Sequence, residues 1–225
     1  MLRKYSYFFK NGIEVFLTEN QDSWSVESDS RRTEILNYSK KNKLIMPRQV
    51  HGDKVIVISD LSDDVECDAI IYNSKLDIAG AINVADCVPI CMYDYVSGYI
   101  ALIHSGWKGT LKKITVKALN EMLRLGCSRK SIKVCIGPSI RGCCYEVEDF
   151  FASKFYKTSI IKKSNKFYVD IMTQILKDLE CELVPRDNIL IDESCTYEDL
   201  KLHSYRRDLD KSGRMSLVAY MRSNG

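Results

Sequence analysis

The sequence predicts an α+β fold, with mixed β-sheets in a sandwich-like core flanked by helices. Short β-branched runs outnumber amphipathic helical segments, and consecutive runs often have no helix between them. That pattern argues against a doubly wound parallel sheet. The 225 residues, 45% of them apolar, can bury a substantial core, and no Pro/Gly/Ser linker, repeat or low-complexity tract divides them. Residues 1–225 are therefore expected to form a single domain.

Residues 13–18 are the first expected strand, and a short helix is expected over residues 29–41. Residues 54–59, 68–72, 79–84, 88–93 and 99–104 are apolar, β-branched and flanked by polar residues, and read as strands. Thr110 can cap a helix with Leu111, Ile114, Ala118, Leu119, Met122 and Leu123 on its apolar face, stopped by Gly126. A strand follows at residues 131–136 and a helix at 148–155. Lys162-Lys163 with Lys166 reads as a solvated loop. Asp170 can cap a helix that buries Ile171, Ile175, Leu176 and Leu179. Strands at 188–191 and 215–221 complete the set.

Composition excludes several classes. No apolar run reaches the roughly 18 residues that span a bilayer, and the basic start is not followed by a signal-peptide pattern. A net charge of +3, with scattered lysines, does not suggest a nucleic-acid partner. Nine cysteines, an odd number in a chain of this size, point to free thiols in a reducing cytoplasm rather than a disulfide scaffold.

Gln49-Val50-His51-Gly52, Ala85-Asp86-Cys87 and His104-Ser105-Gly106-Trp107 carry the chemistry. Imidazole and thiolate suit borderline-soft metals, and two His with one Cys and an open position is a catalytic zinc pattern. A single His or Cys at a strand end is ordinarily structural, but here three such residues each adjoin Gly or Asp at the end of a strand-like run. Asp86 beside Cys87 can orient a ligand or move a proton. No Cys-x-x-Cys pair indicates a zinc ribbon, and the nucleobase-deaminase signature is missing.

An anion site is a second expectation. Residues 104–110 run from a strand through a glycine turn into a helix, with Lys108 alongside. The spacing is not that of a P-loop, and the bland alternative is an ordinary turn with a surface lysine. Arg48, Arg141, Arg206 and Arg207 offer further cationic groups, for oxyanions or for internal salt bridges alike.

Taken in order, Arg48-Gln49-Val50-His51-Gly52, Asp68-Ala69, Ala85-Asp86-Cys87-Val88-Pro89-Ile90 and His104 to Thr110 resemble the YfiH/laccase-domain family. The resemblance continues through Ile136 to Ile140, Cys144-Tyr145-Glu146-Val147 and Ser204 to Asp208, ending at Ser212 to Met215. It implies an α+β fold and a metal, usually zinc, held by His51, Cys87 and His104. It also implies phosphorolysis of purine nucleosides, methylthioadenosine included, and deamination of adenosine. Copper-dependent polyphenol oxidation and editing of peptidoglycan precursors are further activities associated with the family. The chain departs from the usual pattern in carrying Ser105 and Lys108 where Ala and Arg are common, and His203 where an aromatic is common.

Zinc is thus the expected cofactor and copper the alternative. A multicopper oxidase needs a trinuclear copper cluster and a separate type 1 copper, more imidazole than three histidines supply. Phosphorolysis would use Arg48, Gln49, Lys108, Tyr145 and Arg206 for substrate and phosphate, with the purine stacked on Trp107 or Tyr145. Cys87, His104 and Asp86 would carry the chemistry. Two other classes stay open: a cysteine amide hydrolase with Cys87 and His104 as nucleophile and base, oriented by Asp86 or Gln49, and a closed structural zinc with Cys91 or Cys144 as fourth ligand.

Overall fold

In a computed structural model, which describes residues 2–9, 12–19, 28–59 and 65–222, the strands assemble into three mixed or antiparallel sheets. In chain order the elements begin with β1 (Arg3–Lys4), β2 (Ile13–Leu17), α1 (Ser28–Ser39), β3 (Lys43–Ile45), β4 (Val55–Val57) and β5 (Ala69–Asn73). Next come β6 (Ile78–Val84), β7 (Val88–Asp94), β8 (Tyr99–Ser105), α2 (Trp107–Leu111), α3 (Ile114–Arg124), β9 (Ile132–Ile136) and β10 (Glu146–Val147). The chain finishes with α4 (Asp149–Ala152), β11 (Ile160–Lys163), β12 (Lys166–Val169), α5 (Ile171–Cys181), β13 (Ile189–Ile191), α6 (Tyr205–Asp208) and β14 (Met215–Met221). The two large sheets run β1-β2-β14-β6-β3 and β13-β9-β7-β8-β5-β4. Parallel pairs β3–β6, β4–β5 and β9–β13 mix with antiparallel neighbours, so the fold is α+β as expected.

Strand parity explains why these runs are apolar throughout rather than alternating. In β5, β7 and β8, Ile71, Ile90 and Ile103 face α3 and α5, packing with Leu119, Met122, Ile175 and Leu179. Their neighbours Ile70, Cys91 and Leu102 face the other way and join Val15, Ile82 and Leu217 of the five-stranded sheet. The outer face of that sheet, with Phe16, Ala81 and Val218, is covered by Ile35 of α1. The central strands β5, β7, β8 and β9 are therefore buried on both faces, which removes the polar half of the usual period, while the edge strands β4 and β13 are only partly covered.

Several boundaries differ from the expected ones. The helix expected from Thr110 to Gly126 breaks in two, because Lys113 adopts a left-handed conformation (φ 59°). Thr110 caps neither piece: its hydroxyl lies inside α2 and donates to the Gly106 carbonyl at 2.9 Å. Gly126 (φ 90°) does end α3, and Asp170 caps α5 by accepting from the Thr173 N–H at 3.1 Å. The helix expected at 148–155 shortens to α4, and α1 ends at Ser39 because Lys40 turns left-handed (φ 54°). The segment read as a solvated lysine loop is the hairpin β11–β12, turned by Ser164 and Asn165, both at positive φ. No helix among the described residues is long and apolar enough to cross a membrane.

Candidate metal centre and its cavity

His51, Cys87 and His104 meet in space, with their donor atoms all within 4.8 Å of one another. His104 is the penultimate residue of β8, Cys87 precedes β7 in the turn from β6, and His51 lies in the loop before β4. The β7–β8 pairing sets Val88 opposite Ser105, which brings the ends carrying Cys87 and His104 side by side. His51 is drawn in by a buried carboxylate. Asp68 accepts main-chain N–H bonds from Val50 (3.3 Å), His51 (3.0 Å) and Gly52 (2.6 Å), and a ring N–H bond from His104 Nδ1 at 2.8 Å. These bonds hold His51 at a positive φ of 56°. They also leave His104 Nε2 as that ring's free ligand atom.

Burial opposes charge at this centre, and the hydrogen bonds overcome it. Burial alone would raise the Cys87 thiol, but contacts from His104 and His51 bring it down to about 7. Burial likewise would lower His104, yet Asp68 and Cys87 together raise it to about 9. Asp68 is held below the usual carboxylate range, because the His104 and Gly52 bonds outweigh the cost of burying it. The two shifts favour a Cys87 thiolate beside a His104 imidazolium between about pH 7 and 9.

The donors suit a borderline-soft cation. Two imidazoles and one thiolate are the ligand types of catalytic zinc and of copper sites, and three ligands leave a position open. Gly106 gives the set its room. A Cβ built there would sit 3.0 Å from Cys87 Sγ and 3.2 Å from His51 Nδ1, within the donor set itself.

The centre opens into a cavity of about 730 Å³. Of the residues expected to act there, Arg48, Gln49, His51, Asp86, Cys87, His104, Tyr145 and Arg206 line it. Lys108 does not. It is exposed and rests over the Trp107 ring, 5.5 Å from its centroid. Trp107 is itself packed edge-on against Phe151 (4.9 Å) and lies outside the lining, so Tyr145 and Tyr205 are the aromatic walls.

Asp86 does not orient His104. Its carboxylate accepts from the Thr196 hydroxyl and the Arg206 main-chain N–H, both at 2.6 Å. Gln49 is a main-chain clamp, exchanging hydrogen bonds with the Asn83 N–H (2.7 Å) and carbonyl (2.8 Å). Arg207 is internal, donating to the carbonyls of Thr196 and Leu202 and pairing with Asp208. Arg141 pairs with Asp170. Arg48 pairs with Glu66 at the cavity rim. Cys91 lies in the sandwich core, and Cys144 sits in a separate cluster, so neither completes the His51–Cys87–His104 set. His203 also stands apart from it, packed over Gly213.

Two residues of the resembling blocks, Arg214 and Asp68, have no role assigned from the sequence. Arg214 lines the cavity, its guanidinium 5.8 Å from the Tyr205 ring and bonded to the Ser212 and Gly213 carbonyls. Asp68 had a signal in its position before a strand, but its role depends on which loop it faces.

Fold and donor set together define an α+β protein with a His/His/Cys set that could hold a metal ion, on a cavity lined by Arg48, Arg206 and Arg214. Residues 11–222 match the family described as multi-copper polyphenol oxidoreductase laccase, and the chain belongs to that family. It is 36% identical over 211 residues to a purine nucleoside phosphorylase of Borreliella burgdorferi, covering 89% of this chain and 90% of the relative. It is 32% identical over 190 residues to adenosine deaminase RL5 from an unknown prokaryotic organism, covering 76% and 72%. The crystal structure of YlmD from Geobacillus stearothermophilus shares the fold, with a TM-score of 0.84 at 23% identity, over 94% of this chain and 93% of that one.

Proposed function

We propose that the chain is a zinc-dependent purine nucleoside phosphorylase that also deaminates adenosine. One observation carries the reading: the His51–Cys87–His104 centre opens into a cavity walled by two tyrosine rings and arginines. The relatives named for phosphorolysis and deamination support the substrate class. In phosphorolysis an oxygen of hydrogen phosphate bonds to the ribose anomeric carbon, the bond from that carbon to the purine breaks, and the proton the phosphate gives up passes to the departing base. Arg206 and Arg214 suit the phosphate. Their guanidinium groups are held by main-chain carbonyls, and among the described residues neither forms an ion pair, so their charge is available. Tyr145 offers the purine a stacking face, with the Arg206 guanidinium 4.9 Å from its ring. Asp86 positions Arg206 through its main-chain N–H. Bound zinc would supply a Lewis acid and an activated water at the floor of the cavity.

The arrangement Asp68–His104–Cys87 also has the form of an orienter, base and nucleophile, which favours a cysteine hydrolase as the second reading. His51, a second imidazole on the same sulfur, argues for metal instead. The deciding assay measures free base and ammonia released from adenosine, inosine and methylthioadenosine, with and without phosphate, before and after metal removal. Phosphate-dependent base release that vanishes on chelation and returns with zinc supports the proposal. Full activity without metal sinks it and favours the hydrolase.

A further inference from the structure

A second cluster of soft donors lies apart from the metal centre. Cys143, Cys144 and Cys195 bring their Sγ atoms, with a Glu198 carboxylate oxygen, all within 4.8 Å of one another. The Cys143 and Cys144 sulfurs are 3.1 Å apart, and Cys143 Sγ lies 3.5 Å from Glu198 Oε2. None of the three cysteines is disulfide-bonded. Two distant stretches of chain make this cluster. A parallel bridge joins Ser139 to Cys195, and the Thr196 N–H donates to the Ser139 carbonyl at 3.0 Å. The Arg141 N–H is directed at Cys195 Sγ, 3.5 Å away.

We propose that Cys143, Cys144, Cys195 and Glu198 form a second, structural site for a thiophilic divalent cation such as zinc. Three thiolates and a carboxylate complete a tetrahedral set with no open position, unlike the three-residue centre in the cavity. Zinc–sulfur bonds of about 2.3 Å imply a sulfur–sulfur edge of about 3.8 Å, which lies between the 3.1 Å Cys143–Cys144 distance and the 4.8 Å within which the whole set falls. Cys143 and Glu198 are exposed, so their side chains are free to rotate onto the ion. The Arg141 N–H aimed at sulfur is the kind of main-chain donor that supports a metal-bound thiolate. Binding would release up to three thiol protons, one from each cysteine.

The ion would tie together two walls of the catalytic cavity. Cys144 adjoins Tyr145, which lines the cavity, and Cys195 adjoins Thr196, whose hydroxyl donates to Asp86. A clamp here fixes the Tyr145 wall relative to the carboxylate that positions Arg206. It touches no substrate and has no part in the reaction itself.

The test titrates reduced, metal-stripped full-length protein with cadmium. Metal content after desalting is read together with sulfur-to-cadmium charge-transfer absorption. The wild type is expected to hold two ions per chain. Cys87→Ala should keep one ion and most of the charge-transfer intensity, because the thiolate-rich site remains. Cys143→Ser, an exposed and near-isosteric change, should lose one ion and most of the intensity, and Cys195→Ser should match it. The proposal is overturned if Cys87→Ala binds no ion, or if Cys143→Ser and Cys195→Ser both keep the wild-type stoichiometry. It is equally overturned if thiol counting finds two of the three cysteines joined as a disulfide that excludes cadmium. Loss of the cavity metal alone leaves this site loaded, so the two proposals fail separately.

Discussion

Asp68 and His104 form the pivot of the metal centre: Oδ1 of the fully buried carboxylate accepts from His104 Nδ1 at 2.8 Å. The same carboxylate holds the main chain of residues 50–52, so one side chain aims both histidines. Asp68→Asn retains the shape but loses the charge, and one amide oxygen cannot accept all these bonds. Metal affinity should fall about 10- to 100-fold, the usual cost of losing a carboxylate that orients a ligating histidine. Competition against a chromophoric chelator measures this, and an unchanged affinity would remove Asp68 from the centre.

The thiolate–imidazolium pair makes the metal-free protein's stability depend on pH from both sides. His104 is raised from 6.5 to about 9, so its contribution is complete below 6.5 and is lost as pH rises through 9. Cys87 is lowered from 9 to about 7, so its contribution is complete above 9 and is lost as pH falls through 7. The pair is therefore best formed between about 7 and 9. The stability difference between wild type and Cys87→Ser, in chelator, should be largest in that window and shrink on both sides. Thermal melts across pH check it, and a difference independent of pH would contradict the ion pair.

Much of this was legible in the sequence, and the failures have physical causes. Every expected strand exists, because apolar β-branched runs such as residues 88–93 have little alternative when buried on both faces. The break at Lys113 was not legible, since lysine gives no sign of a left-handed residue within an otherwise helical pattern. The three donors could be named from residue type; the β7–β8 register brings Cys87 to His104, and the Asp68 hydrogen bonds bring in His51. That Lys108 lies outside the cavity was not legible, because strand, glycine and lysine in succession do not say which way a short helix turns its side chains. Asp68 acts across chain segments, so its place before a strand marks it without showing that it serves His51 and His104.

Gly106 separates room from backbone freedom. Its φ of −76° is one that any residue adopts, so Gly106→Ala introduces no strain of its own. The added methyl would nevertheless crowd Cys87 Sγ at 3.0 Å and His51 Nδ1 at 3.2 Å. Metal loading and activity should both fall at least tenfold while circular dichroism stays that of the wild type. Metal analysis of the purified variant decides, and normal loading would mean that the ion sits elsewhere.

Arg206 and Lys108 give opposite predictions for phosphate. Arg206 lines the cavity beside Tyr145, whereas Lys108 stands outside it over Trp107. Removing a charge-assisted contact to phosphate costs about 1.5–3 kcal/mol, on the order of ten- to a hundredfold. Arg206→Ala should therefore raise the phosphate KM by that factor. The nucleoside KM should rise less, because stacking on Tyr145 survives. Lys108→Ala should leave the phosphate KM within about twofold of the wild type, as expected for a solvated surface charge. Deamination consumes water and no phosphate, so Arg206→Ala should affect it less than phosphorolysis. Steady-state kinetics of both reactions on the two variants test the assignment together. A large phosphate effect at Lys108 with none at Arg206 would move the anion out of the cavity and onto the turn that precedes α2.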